Sequence, residues 1–333
     1  PRRGPVLLMI AVAKAATDAE VRSAAAYFAA LRPKPLIKVV ETDVVPHGLA
    51  GTNVATLEMS AVPPLNLERR LQYLIRYPHG CIEQVTSSVF PQLYLPALVK
   101  LEDARKKEIE TNVQAGIERL RGFQQPNGAF AYWPGGFVAG GQFDARNAWS
   151  TNYAGHYLVE AGKLGYHVPP AMLNDWLRYQ KTAAQAWTAG GPTSVLDQAY
   201  RLYTLAAANQ ADIGAMNRLR ETPRLPSAAR WMLAGAYKLA GLGDAAEELV
   251  RGDRIELVDY AAPDATFGSR LRDSAIVLNS LVILGQIDRA KPLVDEISAQ
   301  LISEPWYSTQ SVAYSPMAMP KLGGAGKVGD YGS

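Results

Sequence analysis

Helical periodicity from residue 67 onward constrains this chain more than anything else in its 333 residues. Leu67, Leu71, Leu74 and Ile75 fall at i, i+4, i+7 and i+8, on one face of an amphipathic helix. Similar spacing predicts further helices over 81–101, 106–123, 150–164, 169–187, 195–209, 214–220, 227–239, 244–251, 271–284, 287–303 and 308–322, separated by short Gly and Pro breaks. Four of these open on related text: Ser150-Thr151-Asn152-Tyr153-Ala154, Leu196-Asp197-Gln198-Ala199-Tyr200, Arg272-Asp273-Ser274-Ala275-Ile276 and Ser308-Thr309-Gln310-Ser311-Val312-Ala313-Tyr314. They recur at intervals of roughly 40 to 70 residues, so helix pairs stacked into a closed ring or a solenoid are expected.

The first 62 residues read differently. One helix is predicted up to about residue 35, capped by Thr17-Asp18 and burying Val21, Ala24, Ala25, Phe28 and Leu31. Period-2 alternation then predicts strands over 36–40 and 52–59 around a Pro46-His47-Gly48 turn. The expected organisation is an N-terminal helix and strand segment over 1–62, a helical domain over 63–324 and a disordered tail over 325–333. Pro1-Arg2-Arg3 with the apolar run behind it has the outline of a signal peptide. It lacks an initiator Met and continues into helical pattern, so it reads as the start of a fragment. Ala24-Ala25-Ala26-Tyr27-Phe28 and Lys38-Val39-Val40-Glu41-Thr42-Asp43 resemble the tail of a c-type cytochrome, but Cys-x-x-Cys-His is missing and no haem is expected, Met9 notwithstanding.

A composition of 48% hydrophobic and 20% charged residues suits a large buried core. The net charge of +3 is spread, and no Lys/Arg run interleaved with aromatics marks a nucleic-acid surface. No apolar run approaches the roughly 18 residues of a membrane span. A single cysteine excludes an internal disulfide, and His47, His79, His156 and His167 show no ligand spacing, so neither a metal nor another cofactor is expected.

That cysteine stands in Tyr77-Pro78-His79-Gly80-Cys81-Ile82-Glu83-Gln84. If Cys81 opens a helix, Gln84 lies on the same face within side-chain reach. A thiolate attacking that carboxamide expels ammonia and leaves an internal thioester, open in turn to an amine, a hydroxyl or water. Gly80 suits the turn into the helix, and Pro78 stops a helix from running through. Taken bare, the four residues from Cys81 to Gln84 also allow a plainer reading, a buried thiol acting as a small hydrophobe.

The wider run changes the balance. From Pro63-Pro64-Leu65-Asn66-Leu67 through the cysteine segment to Ser87-Ser88-Val89-Phe90-Pro91-Gln92-Leu93-Tyr94, it closely resembles the thioester domain of bacterial alpha-2-macroglobulins, relatives of the animal protease traps and complement thioester proteins. The resemblance spans about residues 50–324. Gln125-Pro126-Asn127-Gly128-Ala129-Phe130-Ala131-Tyr132-Trp133 is similar to a pattern of terpenoid cyclases and prenyltransferases, and together they imply an all-α fold, an α/α toroid of helical hairpins with a short helix and β-strand appendage. Ala-rich helices would face inward and Lys-, Arg- and Glu-rich ones outward.

The family match implies a Cys81–Gln84 thioester bond, with Tyr77 shielding it from water and Glu83 supporting or solvated. Some animal relatives use a later His to steer the acyl group toward hydroxyls; His156 is the candidate for that role, and His79 for a local base. The implied function is endopeptidase inhibition by a single-turnover covalent trap, not an enzyme. Cleavage of a bait region elsewhere would expose the thioester, which then acylates a Lys or hydroxyl of the attacking protease. Implied partners are proteases and the remaining macroglobulin domains. The implied location is the periplasm or cell envelope, in bacterial defence.

The competing function is a Cys-dependent hydrolase or transferase on the same scaffold, with Cys81 served by His79 or His156 and Asn152 orienting the base. A toroid cyclase would need an Asp-x-Asp-Asp acid motif, which is absent. Tyr132, Trp133, Trp149, Tyr153, Trp306, Tyr307 and Tyr314 gather at helix starts and loops, where they either pack the core or line a sugar-binding cleft.

Overall fold

The computed structural model describes residues 74–135, 145–191, 193–257, 259, 266, 268–303 and 309–317. The helix and strands expected in 1–62, the tail over 325–333, and Trp306 and Tyr307 lie outside the described residues. The helices are α1 (Ile82–Val89), α2 (Leu95–Leu98), α3 (Asp103–Leu120), α4 (Ala145–Lys163), α5 (Pro170–Ala186), α6 (Val195–Ala207), α7 (Ile213–Arg220), α8 (Ser227–Leu239), α9 (Gly243–Val250), α10 (Arg270–Leu284), α11 (Ile287–Ser303) and α12 (Thr309–Tyr314). Among the described residues there is no strand, only one antiparallel bridge between Gln124 and Phe130.

Contacts between helices close on themselves. α1 packs on α4, α4 on α6, α6 on α8, α8 on α10, α10 on α12, and α12 returns to α1. Outside this inner ring, α3 covers α1, α5 and α7 cover α6, α9 covers α8 and α11 covers α10. The result is an α/α toroid, as the sequence pattern and resemblance implied. The inner helices are buried almost all round: every residue from Asp197 to Ala207 of α6 is buried, as is Leu271 to Leu281 of α10. The polar stripe of α6 is met by protein and not by water: Gln198 donates to the Ala184 carbonyl, Arg201 to Gln180 and Thr204 to the Arg201 carbonyl, so the helix can be enclosed by its neighbours in the inner ring.

Aromatic side chains fill the ring. Tyr314 of α12 stacks on Tyr153 of α4 at 5.2 Å, and Asn279 of α10 donates to the Tyr203 hydroxyl of α6 at 2.8 Å. The buried Arg272 is paired: its guanidinium donates to Asp273 at 2.7 Å and to the Thr266 carbonyl at 2.6 Å, and lies 4.5 Å from the Trp149 ring centroid. What remains is a small cavity lined by His156, Tyr200, Tyr203, Asn279 and Tyr314, with room for about one water. Trp149, Tyr153 and Tyr314 are therefore core side chains, not the walls of a sugar cleft.

Most predicted helices fall within a few residues of the observed ones. The exception is 81–101, which is broken: α1 ends at Val89, a 3-10 turn covers Pro91–Leu93, and α2 is one short turn. Pro91 and Pro96 lack the N–H that would continue the ladder. The last predicted helix, 308–322, is observed only as α12 and the 3-10 turn Ser315–Met317.

Candidate functional site

Cys81 is the N-cap residue of α1, with an extended backbone (φ −72°, ψ 171°), and its side chain is buried at 4% exposure. Gln84, at the third helical position, folds back on it. Its Oε1 accepts from the Cys81 N–H at 3.1 Å, while its own backbone N–H faces the Cys81 side chain. This is the capping box of Ser/Thr-x-x-Glu/Gln sequences with a thiol in place of the hydroxyl. The thiol and the carboxamide that a thioester would join thus stand at one helix end, each turned toward the other residue's backbone N–H by the ordinary need to satisfy helix-terminal amides.

Two segments fix this end of α1. A turn built by Gln125-Pro126-Asn127-Gly128 brings the Tyr132 carbonyl to the Ile82 N–H at 3.1 Å. Asn127 Oδ1 accepts from the Ala129 N–H at 3.0 Å, and Gln124 Nε2 donates to the Met172 carbonyl at 2.9 Å. Thr151 Oγ1 of α4 accepts from the Phe130 N–H at 3.0 Å and donates to the Phe130 carbonyl at 3.2 Å, so the turn is tied to the inner ring. On the other side, Gln92 Nε2 donates to the Arg76 carbonyl at 2.8 Å and holds the segment that leads to the cysteine.

Glu83 is buried at 7% exposure, not solvated. Its Oε1 accepts from the Ser87 hydroxyl at 2.8 Å, and Ser87 Oγ lies 3.1 Å from the Tyr153 hydroxyl, which links α1 to α4. Burial pushes the Tyr153 phenol well above its ordinary pKa, and Tyr314 adds to the shift.

The other residues singled out by sequence are dispersed. Tyr77 is 60% exposed. His79 is exposed too, and its Nδ1 lies 2.9 Å from the Tyr77 carbonyl. His156 is buried at the opposite end of α1 from the thiol: its ring meets Phe90 edge-on at 5.0 Å between centroids, and its Nδ1 lies 3.0 Å from the Tyr200 hydroxyl. Cys81 and Phe90 are separated by about 13 Å along an ideal helix axis. Asn152 donates to the Asp197 carbonyl at 2.9 Å and accepts from Gln180 at 2.8 Å, so it does not orient a histidine.

Sequence reasoning missed the Tyr132 carbonyl, the Gln92 tie and the depth of Glu83. The first two are backbone contacts between distant segments, which side-chain motifs do not encode. Glu83 had a signal: Ser87 at i+4 shares its helix face and offers the carboxylate a hydroxyl partner. Among the described residues no group of three or more His, Cys, Asp or Glu side chains is placed to hold a metal ion.

Comparison with known proteins gives the family and the fold. No family model matches the chain. The alpha-2-macroglobulin of Escherichia coli K12 is 31% identical over 300 residues, covering 81% of this chain and 17% of the relative. That of Xylella fastidiosa strain Temecula1 is 26% identical over 245 residues, covering 67% and 14%. The crystal structure of native Escherichia coli alpha-2-macroglobulin from domain MG7 to the C-terminus superposes with a TM-score of 0.63 at 28% identity, covering 79% of this chain and 43% of that one. Salmonella alpha-2-macroglobulin reacted with methylamine also superposes at 0.63 and 28% identity, covering 78% and 17%. The chain spans less than a fifth of the length of these curated relatives, within their C-terminal region, and over that match it belongs to the bacterial alpha-2-macroglobulin family.

Proposed function

We propose that this chain is the thioester-bearing part of an alpha-2-macroglobulin-like endopeptidase inhibitor, in which Cys81 and Gln84 form the internal bond and an attacking protease is captured through a Lys amine or a hydroxyl. The observation that carries the reading is a buried cysteine at a helix N-terminus whose backbone N–H donates to the carboxamide of Gln84, with the Gln84 backbone N–H facing the thiol in return. Its likeness to a Salmonella relative solved after reaction with methylamine supports the same chemistry. The reaction consumes the acyl group once, so the protein acts as a single-turnover trap and not an enzyme. Proteases and the remaining macroglobulin domains are its partners, and the periplasm or cell envelope is its place of action. Tyr77, exposed four residues before Cys81, is the residue that would cover the bond when those domains are assembled.

A hydrolase would need a base on Cys81. His79 turns its ring toward its own segment's backbone and His156 sits behind Phe90, so no second reading is favoured. Methylamine labelling tests the proposal: the chain takes up one methylamine at Gln84, and Cys81→Ala takes up none. Uptake undiminished in the Ala variant would refute the assignment of Cys81.

A further inference from the structure

We infer that the backbone N–H of Cys81 is the oxyanion donor of the thioester chemistry, and that Gly80 is the positioning residue that admits the acyl oxygen to it. The inference rests on the thioester reading above and deepens it. Oε1 of Gln84 lies 3.1 Å from the Cys81 nitrogen. When sulfur adds to Cδ, the carbonyl electron pair moves onto that same oxygen, where a fixed donor lowers the barrier most.

The donor is held before reaction. The Cys81 carbonyl accepts from the Val85 N–H at 2.9 Å, and the next amide, Ile82 N–H, is occupied by the Tyr132 carbonyl at 3.1 Å. Peptide units beyond Cys81 therefore cannot rotate freely, and the Ile82 N–H is kept from competing for Oε1. On the near side, Gly80 has φ +97° and leaves the space that Oε1 fills. A Cβ there would stand 2.1 Å from Oε1 and 3.0 Å from Cδ. Even alanine would drive the carboxamide off its donor.

The same contact serves both directions of the chemistry. In formation, the thiolate sulfur bonds to Cδ, the C=O pair shifts to Oε1, and its return expels Nε2 as ammonia carrying the thiol proton. In capture, an amine nitrogen bonds to Cδ, Oε1 again carries the charge, and the C–S bond breaks with the amine's proton passing to sulfur. Each passage places negative charge opposite the Cys81 N–H.

The test uses the full chain grown on glutamine labelled at its side-chain carbonyl carbon, read by isotope-edited infrared difference before and after methylamine. The thioester carbonyl stretch is expected below that of a simple alkyl thioester in the same buffer, because a hydrogen bond weakens the C=O bond. Gly80→Ala, with helix content checked by circular dichroism, is expected to form the bond about a hundred-fold more slowly. A thioester band at the unbonded position, or formation at the wild-type rate in folded Gly80→Ala, overturns the donor assignment and leaves the thioester reading standing. If the Ala variant does not fold, the band position alone decides. No thioester band at all, with the thiol freely titratable, removes the thioester reading itself and this inference with it.

Discussion

At the scale of residues, the proposed chemistry is confined to one helix end. His156 is walled off by Phe90 and bound toward Tyr200. His156→Ala is accordingly expected to leave the rate of methylamine uptake and the preference between amine and hydroxyl acceptors within about two-fold of wild type, while lost hydrogen bonding alone costs about 1–3 kcal/mol of stability. Competition between methylamine and glycerol, followed by mass spectrometry, checks the first part. Asp197 shows how a buried charge elsewhere responds to pH. Desolvation raises its pKa, against opposing contributions from Ser194 and Arg201. Its folded-state pKa lies above the unfolded one, so its contribution to stability is full in acid and lost as pH rises through the raised value. Asp197→Asn should flatten that loss as pH rises above the ordinary carboxylate range. Denaturant midpoints measured across that interval test it, and an unchanged pH slope would exclude Asp197 as the cause.

At the scale of elements, α4 is the wall on which the site is mounted. Thr151 holds the turn that caps α1, so Thr151→Val, nearly isosteric, leaves the Phe130 amide unsatisfied at a cost of about 1–3 kcal/mol. It should also speed spontaneous release of the Cys81 thiol, measured by thiol titration over time. One turn along, Gly155 meets Trp176 of α5 so closely that a Cβ would stand 1.9 Å from the ring. Gly155→Ala should cost about 1–3 kcal/mol by overpacking, seen as a lowered thermal midpoint. Helix spacing and the Cys81-x-x-Gln84 pairing were legible in the sequence, because each is a local pattern of period or cap. The breaks at Pro91 and Pro96 were missed, although both prolines stand inside the segment given to one helix and neither can continue its ladder. What could not be read was which distant segment supplies a carbonyl to Ile82, or that His156 faces Phe90 and not the thiol. Those depend on how the ring closes, and helical period alone left a ring and a solenoid equally open.

At the scale of the whole molecule, the ring is packed with buried tyrosines whose phenols are all shifted in the same direction. Burial raises the phenol pKa of Tyr94, Tyr153, Tyr157, Tyr200, Tyr203 and Tyr314 above the ordinary value. Their stabilising contribution is complete below the unfolded value of about 10 and is lost as pH rises above it. Absorbance titration should therefore find these phenols ionising together with loss of helix content. The central claim concerns the bond at Cys81, and the intact mass of freshly purified protein tests it most directly. The account predicts a mass short by one ammonia and no free thiol, with methylamine adding once and liberating one thiol. A full mass, with Cys81 titratable from the start and unresponsive to methylamine, would contradict it.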